Sequence, residues 1–198
     1  MKLPKIRELI EAVRSLFSRP FTSRFPLEQP VIPDGFRGKP QFYEDDCVGC
    51  MACAEVCPAR AIDVIDDKKK KLRTLTHHQD ICIYCQQCEK ACITEKGIIL
   101  TKEYDLATYD RKSSITQSKK ELVICQHCGE AIGCLDHIKF LAKKVGHLLY
   151  TNPTLLLARH AELKLLEEEK VNSPHIRAGH LKILCPNCRR EVILNEQW

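Results

Sequence analysis

Residues Asp45–Ile62 read DDCVGCMACAEVCPARAI, with Cys47, Cys50, Cys53 and Cys57 spaced C-x₂-C-x₂-C-x₃-C and Pro58 after the last. The spacing returns 35 residues later in DICIYCQQCEKACITEKGI, as Cys82, Cys85, Cys88 and Cys92. Three thiolates at intervals of three wrap a tight turn and reach three corners of a cubic metal cluster. The fourth sits in the turn that follows and points away. In chains carrying two such runs, that fourth cysteine ligates the other cluster. The spacing therefore predicts two [4Fe-4S] clusters with crossed ligation. One takes Cys47, Cys50, Cys53 and Cys92, and the other takes Cys82, Cys85, Cys88 and Cys57. Two zinc knuckles per run would be the alternative, but zinc sites rarely use three evenly spaced cysteines plus a fourth. The second run departs from the first at Ile93, where the first has Pro58. Its last turn should differ, with Cys92 still a ligand.

Apolar or small residues separate the ligands: Val48, Gly49, Met51, Ala52, Ile81, Ile83 and Tyr84. They shield the sulfurs and leave backbone N–H groups free to point at them, which sets potential within a class range of roughly −700 to +450 mV. The chain has no Gly-rich phosphate loop, dinucleotide fingerprint or nucleophile signature. Two neighbouring clusters without a substrate motif make a wire for electrons, not a site that breaks bonds.

Five cysteines remain. Cys125, Cys128, Cys185 and Cys188 form C-x₂-C…C-x₂-C, each pair after an apolar, strand-like run (LVICQHCG, LKILCPNC). Two knuckles meeting at one tetrahedral ion make a zinc-ribbon-like site, so one Zn²⁺ is expected there. A third iron–sulfur cluster or free thiols are the alternatives. Cys134 reads as a small buried residue. His127 and His137 could substitute in a metal site, but four thiolates already complete it. His77, His78, His147, His160, His175 and His180 read as ordinary surface or core histidines.

Composition bounds the rest. Thirteen cysteines in 198 residues mean either a secreted disulfide framework or metal in a reducing compartment. The start MKLPKIRELIEAVRSLF lacks the apolar core and cleavage site of a signal peptide, and thirteen is odd, so metal and a cytoplasmic setting are expected. No run approaches the roughly 18–20 apolar residues that span a bilayer. A net charge of +5 with both signs interspersed describes a solvated surface.

These ligands need elements to hold them. Leu3, Ile6, Ile10, Val13 and Phe17 recur at helical steps, predicting an amphipathic helix that Pro20 stops. Five prolines between Arg19 and Pro40 then forbid regular structure and predict an extended arm, a disordered tether being the alternative. Short strands are expected at AIDVI and GIILT, with DDKKKKLRT as a solvated hairpin tip. Helices are expected at about 136–149 and 154–170. The whole reads as α+β: residues 1–40 a helix and docking arm, 41–108 a bacterial-type 2[4Fe-4S] ferredoxin domain, and 109–198 a Cys₄ zinc module with a helical insertion.

The repeat, the arm FPLEQPVIPDGFRGKP and the helix before it resemble the dicluster ferredoxin subunit of respiratory complex I. FRGKP, LTKEYDLATYDR and the later CQHC and CPNC pairs are more similar to its counterpart in formate hydrogenlyase and other membrane-bound [NiFe]-hydrogenases. Residues 136–180 match neither. The resemblance implies a subunit between an electron-input module and the hydrogenase small subunit, peripheral on the cytoplasmic face of a membrane complex. Residues 1–40 would then contact membrane subunits. An interfacial helix on lipid is one use of such a segment and a protein groove another, and protein contact is favoured. A carrier subunit of a soluble electron-bifurcating complex is the alternative. A redox-responsive nucleic-acid regulator is disfavoured, because basic residues do not gather around the knuckles beyond Arg189 and Arg190, and no nucleic acid is expected as a partner.

Overall fold

The lysine run 68–71 closes a hairpin between β2 (Ile62–Asp67) and β3 (Leu72–His78), with Lys71 at φ 51° in the turn. Asp67 Oδ1 accepts from the backbone N–H groups of Lys69 and Lys70 at 3.0 Å each, satisfying the turn from its own side chain. The computed structural model describes residues 5–19, 22, 25–162 and 182–195.

The chain divides into two units, 1–36 and 37–198. The first contains α1 (Ile6–Phe17), which follows its predicted apolar spacing and ends before Pro20. The Glu8 carboxylate accepts from the Lys5 N–H at 3.1 Å and holds the first turn. No residue of α1 is buried, and Ile6 and Phe17 are 79% and 89% exposed.

The second unit is built on two sheets. β1 (Pro40–Phe42) pairs antiparallel with β4 (Ile98–Leu100), Phe42 opposite Ile98. The larger sheet runs β2-β3-β5-β6, all antiparallel, with β5 at Ile115–Ile124 and β6 at Ala131–Cys134. Leu75 faces Val64 on one side and Ser118 on the other. The boundary expected at residue 108 falls between β4 and β5, and the sheet runs across it. Each cysteine run ends in one helical turn, α2 (Ala52–Glu55) and α3 (Gln87–Lys90). Phe42, Ile62, Leu75 and Ile98 pack with Cys47 and Cys53 into one core.

The C-terminal part adds α4 (Leu135–Val145), then a 3₁₀ turn (Gly146–Thr151), α5 (Pro153–Glu162) and α6 (Pro186–Leu194). The helix expected over 154–170 is seen to Glu162, and the remainder lies outside the described residues. The second apolar run does not form the strand expected of it. Leu184 leads to Cys185, which N-caps α6, with Pro186 at the first helical position. The zinc-ribbon expectation of two strand-borne pairs thus fails for Cys185 and Cys188. A proline one residue after a capping side chain starts a helix, because its missing N–H would have been unsatisfied there anyway.

Candidate iron–sulfur centres and a four-cysteine metal site

The two cysteine runs take the same backbone path. Left-handed conformations fall at Gly49 and Met51 in the first, at Tyr84 and Gln86 in the second, and at Arg60 and Glu95 beyond them, each pair 35 residues apart. This alternation of hand folds each run into a loop around a hollow. The first hollow, about 300 Å³ with its mouth, is lined by Cys47, Cys50, Cys53 and Cys92. The second, about 340 Å³, is lined by Cys57, Cys82, Cys85 and Cys88. Each collects three thiols of one run and the last thiol of the other.

The hollows have walls suited to an inorganic cluster. Phe42, Leu75 and Ile98 close the first, and Pro40 and Ile62 lie on the second. Burial, aided by the neighbouring thiols Cys50, Cys47 and Cys88, pushes Cys53 up to about 12, and burial lifts Cys88 to about 11. Burial also raises Cys50 and Cys82. As free thiols these groups stay protonated, and binding iron releases the protons. Backbone donors are in place: Ala61 N–H lies 3.3 Å from Cys57 Sγ, and Tyr84 N–H 3.4 Å from Cys82 Sγ. Cys92 differs. Burial raises its thiol, but the Thr94 hydroxyl and the backbone N–H groups of Thr94, Gly97 and Ile98 outweigh that and lower it. Gly97 also keeps the cradle open, since a Cβ there would stand 3.1 Å from Cys47 Cα and 3.2 Å from Cys92 Sγ. The donor set and its cradles fit two cubane clusters.

Two supports escaped the sequence reading. Thr94 Oγ1 sits 3.3 Å from Cys92 Sγ and accepts from Gly97 N–H at 3.1 Å. The departure at Ile93 marks the place without revealing the contact. Arg73, 5% exposed, holds Asp66 through two 2.7 Å bonds and donates to the Gly49 carbonyl at 3.0 Å. A lone arginine in a strand carries no such signal. Next to it, fully buried Cys134 packs against the Gly49 loop.

The second cysteine set also comes together. The Sγ atoms of Cys125, Cys128, Cys185 and Cys188 all lie within 4.8 Å of one another, the distance from Cys128 to Cys185 being 3.6 Å. Cys125 ends β5. Gly129, at φ 73°, donates its N–H to the Cys125 carbonyl at 3.0 Å and closes the first knuckle. Gln126 ties the knuckles: its N–H donates to the Ile183 carbonyl at 2.9 Å, and its Oε1 accepts from Ile183 N–H at 2.8 Å. Burial would raise Cys125, but the N–H groups of Cys128, Cys185 and His127 bring its thiol down to about 7. His127 lies within reach of Cys188 and Glu191 as a second grouping, while His137 joins no such group among the described residues.

Residues 46–96 match the 4Fe-4S dicluster domain. The chain is 32% identical to formate hydrogenlyase subunit 6 of Escherichia coli (strain K12) over 130 residues, 64% of this chain and 69% of that one. It is 35% identical to NADH-quinone oxidoreductase subunit I 1 of Koribacter versatilis over 108 residues, 50% of this chain and 70% of that one. The chain belongs to this family of dicluster iron–sulfur subunits. Against NAD(P)H-quinone oxidoreductase subunit I of Gloeobacter violaceus it is 33% identical, and there it spans only 46% of the relative's length and 47% of its own. A subunit of the membrane-bound sulfane sulfur reductase, an archaeal respiratory membrane complex, overlays 58% of this chain and 61% of its own at 26% identity, with a TM-score of 0.42 too low to argue from. All eight cysteines of the two hollows lie within the segment that matches the 4Fe-4S dicluster domain. No helix among the described residues is long and apolar enough to cross a membrane.

Proposed function

We propose that this chain is the electron-relay subunit of a multi-subunit hydrogenase or hydrogenlyase, carrying electrons from an input module to the hydrogenase small subunit. When bound, two [4Fe-4S] clusters each take up and release one electron. Cys47, Cys50, Cys53 and Cys92 hold one, and Cys82, Cys85, Cys88 and Cys57 hold the other. The observation that carries this reading is the crossed grouping of thiols around two hollows. It agrees with the ligation rule for paired runs. The hydrogenlyase branch is favoured because similarity to its subunit 6 runs over 130 residues, against 108 and 99 for the quinone oxidoreductase relatives above.

Cys125, Cys128, Cys185 and Cys188 bind a structural Zn²⁺. Four thiolates suit a closed tetrahedral site, which contributes folding energy and leaves no open position for substrate. The exposed apolar face of α1, with the arm after it, docks on membrane subunits of the complex, so the chain lies peripherally on the cytoplasmic face.

Anaerobic metal analysis tests the cofactors, with about eight iron and eight sulfide expected from two cubanes and about one zinc from one tetrahedral site. About twelve iron and no zinc would put a third cluster at the later cysteines instead. Cys57→Ser tests the crossing: it should damage the cluster of Cys82, Cys85 and Cys88. Loss confined to the cluster of Cys47, Cys50 and Cys53 would overturn the assignment. Co-purification with hydrogenase subunits tests the role, and a stable monomer that never co-purifies would refute it.

A further inference from the structure

Strand β3 presents a different wall to each hollow. Leu75 and His77 are two residues apart and so share one face of the strand. Leu75 lines the first hollow, and His77 lines the second. Both are sealed from solvent, each 1% exposed. Leu75 offers only methyl groups. His77 brings two ring nitrogens, neither of which has a hydrogen-bond partner among the described residues. A buried polar group left without a partner bears its full desolvation cost, so such a pair of orphans needs a reason. The wall opposite supplies one, since the thiols of Cys57, Cys82, Cys85 and Cys88 line the same hollow.

We infer that His77 donates its ring N–H to a sulfur of the cluster in the second hollow, and that this bond sets that cluster's potential above the value it would have behind an apolar wall. The inference rests on the proposed ligation by Cys57, Cys82, Cys85 and Cys88. An imidazole has an N–H to give in either charge state, one when neutral and two when protonated. An N–H aimed at sulfur stabilises the extra negative charge of the reduced cluster, which makes reduction easier. The matching place in the first hollow, 35 residues earlier, holds Phe42, which faces Ile98 as His77 faces Ile62 and donates nothing; the side-chain donor there is the Thr94 hydroxyl at Cys92 Sγ. The two clusters, alike in cysteine spacing, are thus tuned by different side chains, His77 at one and Thr94 at the other. His77 is here a tuning residue and not a ligand.

The test uses full-length protein loaded anaerobically: wild type, His77→Leu and His77→Gln. Iron and sulfide are counted first, and each cluster is then followed by EPR during reductive titration. His77→Leu makes that wall apolar and should fold, because exchanging an orphaned polar group for an apolar one of similar size is close to neutral. Loading should stay at about eight iron and eight sulfide. One cluster should become about tenfold harder to reduce, a shift of about 59 mV to lower potential, with the other unchanged. His77→Gln keeps an N–H and should recover part of the shift. A merely structural histidine would alter stability and leave both potentials in place, and that result with full loading overturns the inference while the ligand assignment stands. Fewer than two clusters in the wild type would sink the assignment, and the inference with it. Pulsed EPR of reduced wild-type protein carrying ¹⁵N-histidine gives a readout that needs no variant. Nitrogen coupling at one cluster is expected, and its absence at both overturns the inference.

Discussion

Replacing Gly49 with alanine puts a methyl group into space that Cys134 already fills. A Cβ at Gly49 would stand 2.6 Å from Cys134 Sγ, 3.2 Å from its Cβ and 3.1 Å from Lys120 Cβ. The left-handed backbone, φ 69°, adds strain for any side chain, about 1–2 kcal/mol. Strain alone does not demand glycine, because Tyr84 takes φ 51° at the equivalent place in the second run. The crowding does, and forcing a methyl into a packed core costs roughly 1–3 kcal/mol. Gly49→Ala should therefore lose about 2–5 kcal/mol in total. Cys134→Ala removes the sulfur at the 2.6 Å contact, so in that background Gly49→Ala should cost little more than the strain. The coupling between the two changes is then about 1–3 kcal/mol. The readout is the apparent midpoint of heat-induced loss of iron–sulfur absorbance under anaerobic conditions, since a chain that sheds its cofactor on unfolding has no simple two-state free energy. At about 2–4 °C per kcal/mol for a chain of this size, the rescue is worth roughly 2–12 °C. Equal damage by Gly49→Ala in both backgrounds would refute the steric argument.

Thr94→Val removes the hydroxyl 3.3 Å from Cys92 Sγ. It should make one cluster roughly tenfold harder to reduce, about 59 mV, in an EPR titration, and the affected cluster should be the one that Cys47→Ser destroys. Glu89→Ala cuts the 2.8 Å bond that Leu100 N–H donates to its carboxylate, which ties α3 to β4. The apparent midpoint should fall by an amount equivalent to about 1–3 kcal/mol, with iron content unchanged at low temperature. Cys128→Ser alters the one exposed thiol of the four-cysteine group. Metal analysis should find zinc lost and about eight iron kept, with a lower midpoint in heat scans.

The chemistry was legible because it is local. The cluster type is written in cysteine spacing, and the segment 46–96 that matches a 4Fe-4S dicluster domain is the one that holds both cysteine runs. Helix α1 was legible for the same reason, as was the β2–β3 turn at Asp67–Lys71. What escaped depends on residues brought together from afar. The pairing of Leu75 with Ser118 makes one sheet of stretches that looked like two domains, and no periodicity announces a partner 43 residues away (118 − 75). Cys134 against Gly49 is a contact of the same kind. The start of α6 was misread despite a local signal: the apolar run before Cys185 suggested a strand, and Pro186 should have outweighed it.

The position of β3 between β2 and β5 bears on how this chain can be divided. A fragment ending near residue 108 would keep all eight cluster cysteines yet strip β5 away. Leu72–His78 would then face water with a row of unpaired N–H and C=O groups. Such an edge is a template for another copy of itself. Wild-type chains cover it with their own β5, so the four-cysteine half serves the ferredoxin half as a guard against self-association, whatever metal it holds. The excised fragment should form dimers or larger species in size-exclusion chromatography even with both clusters in place.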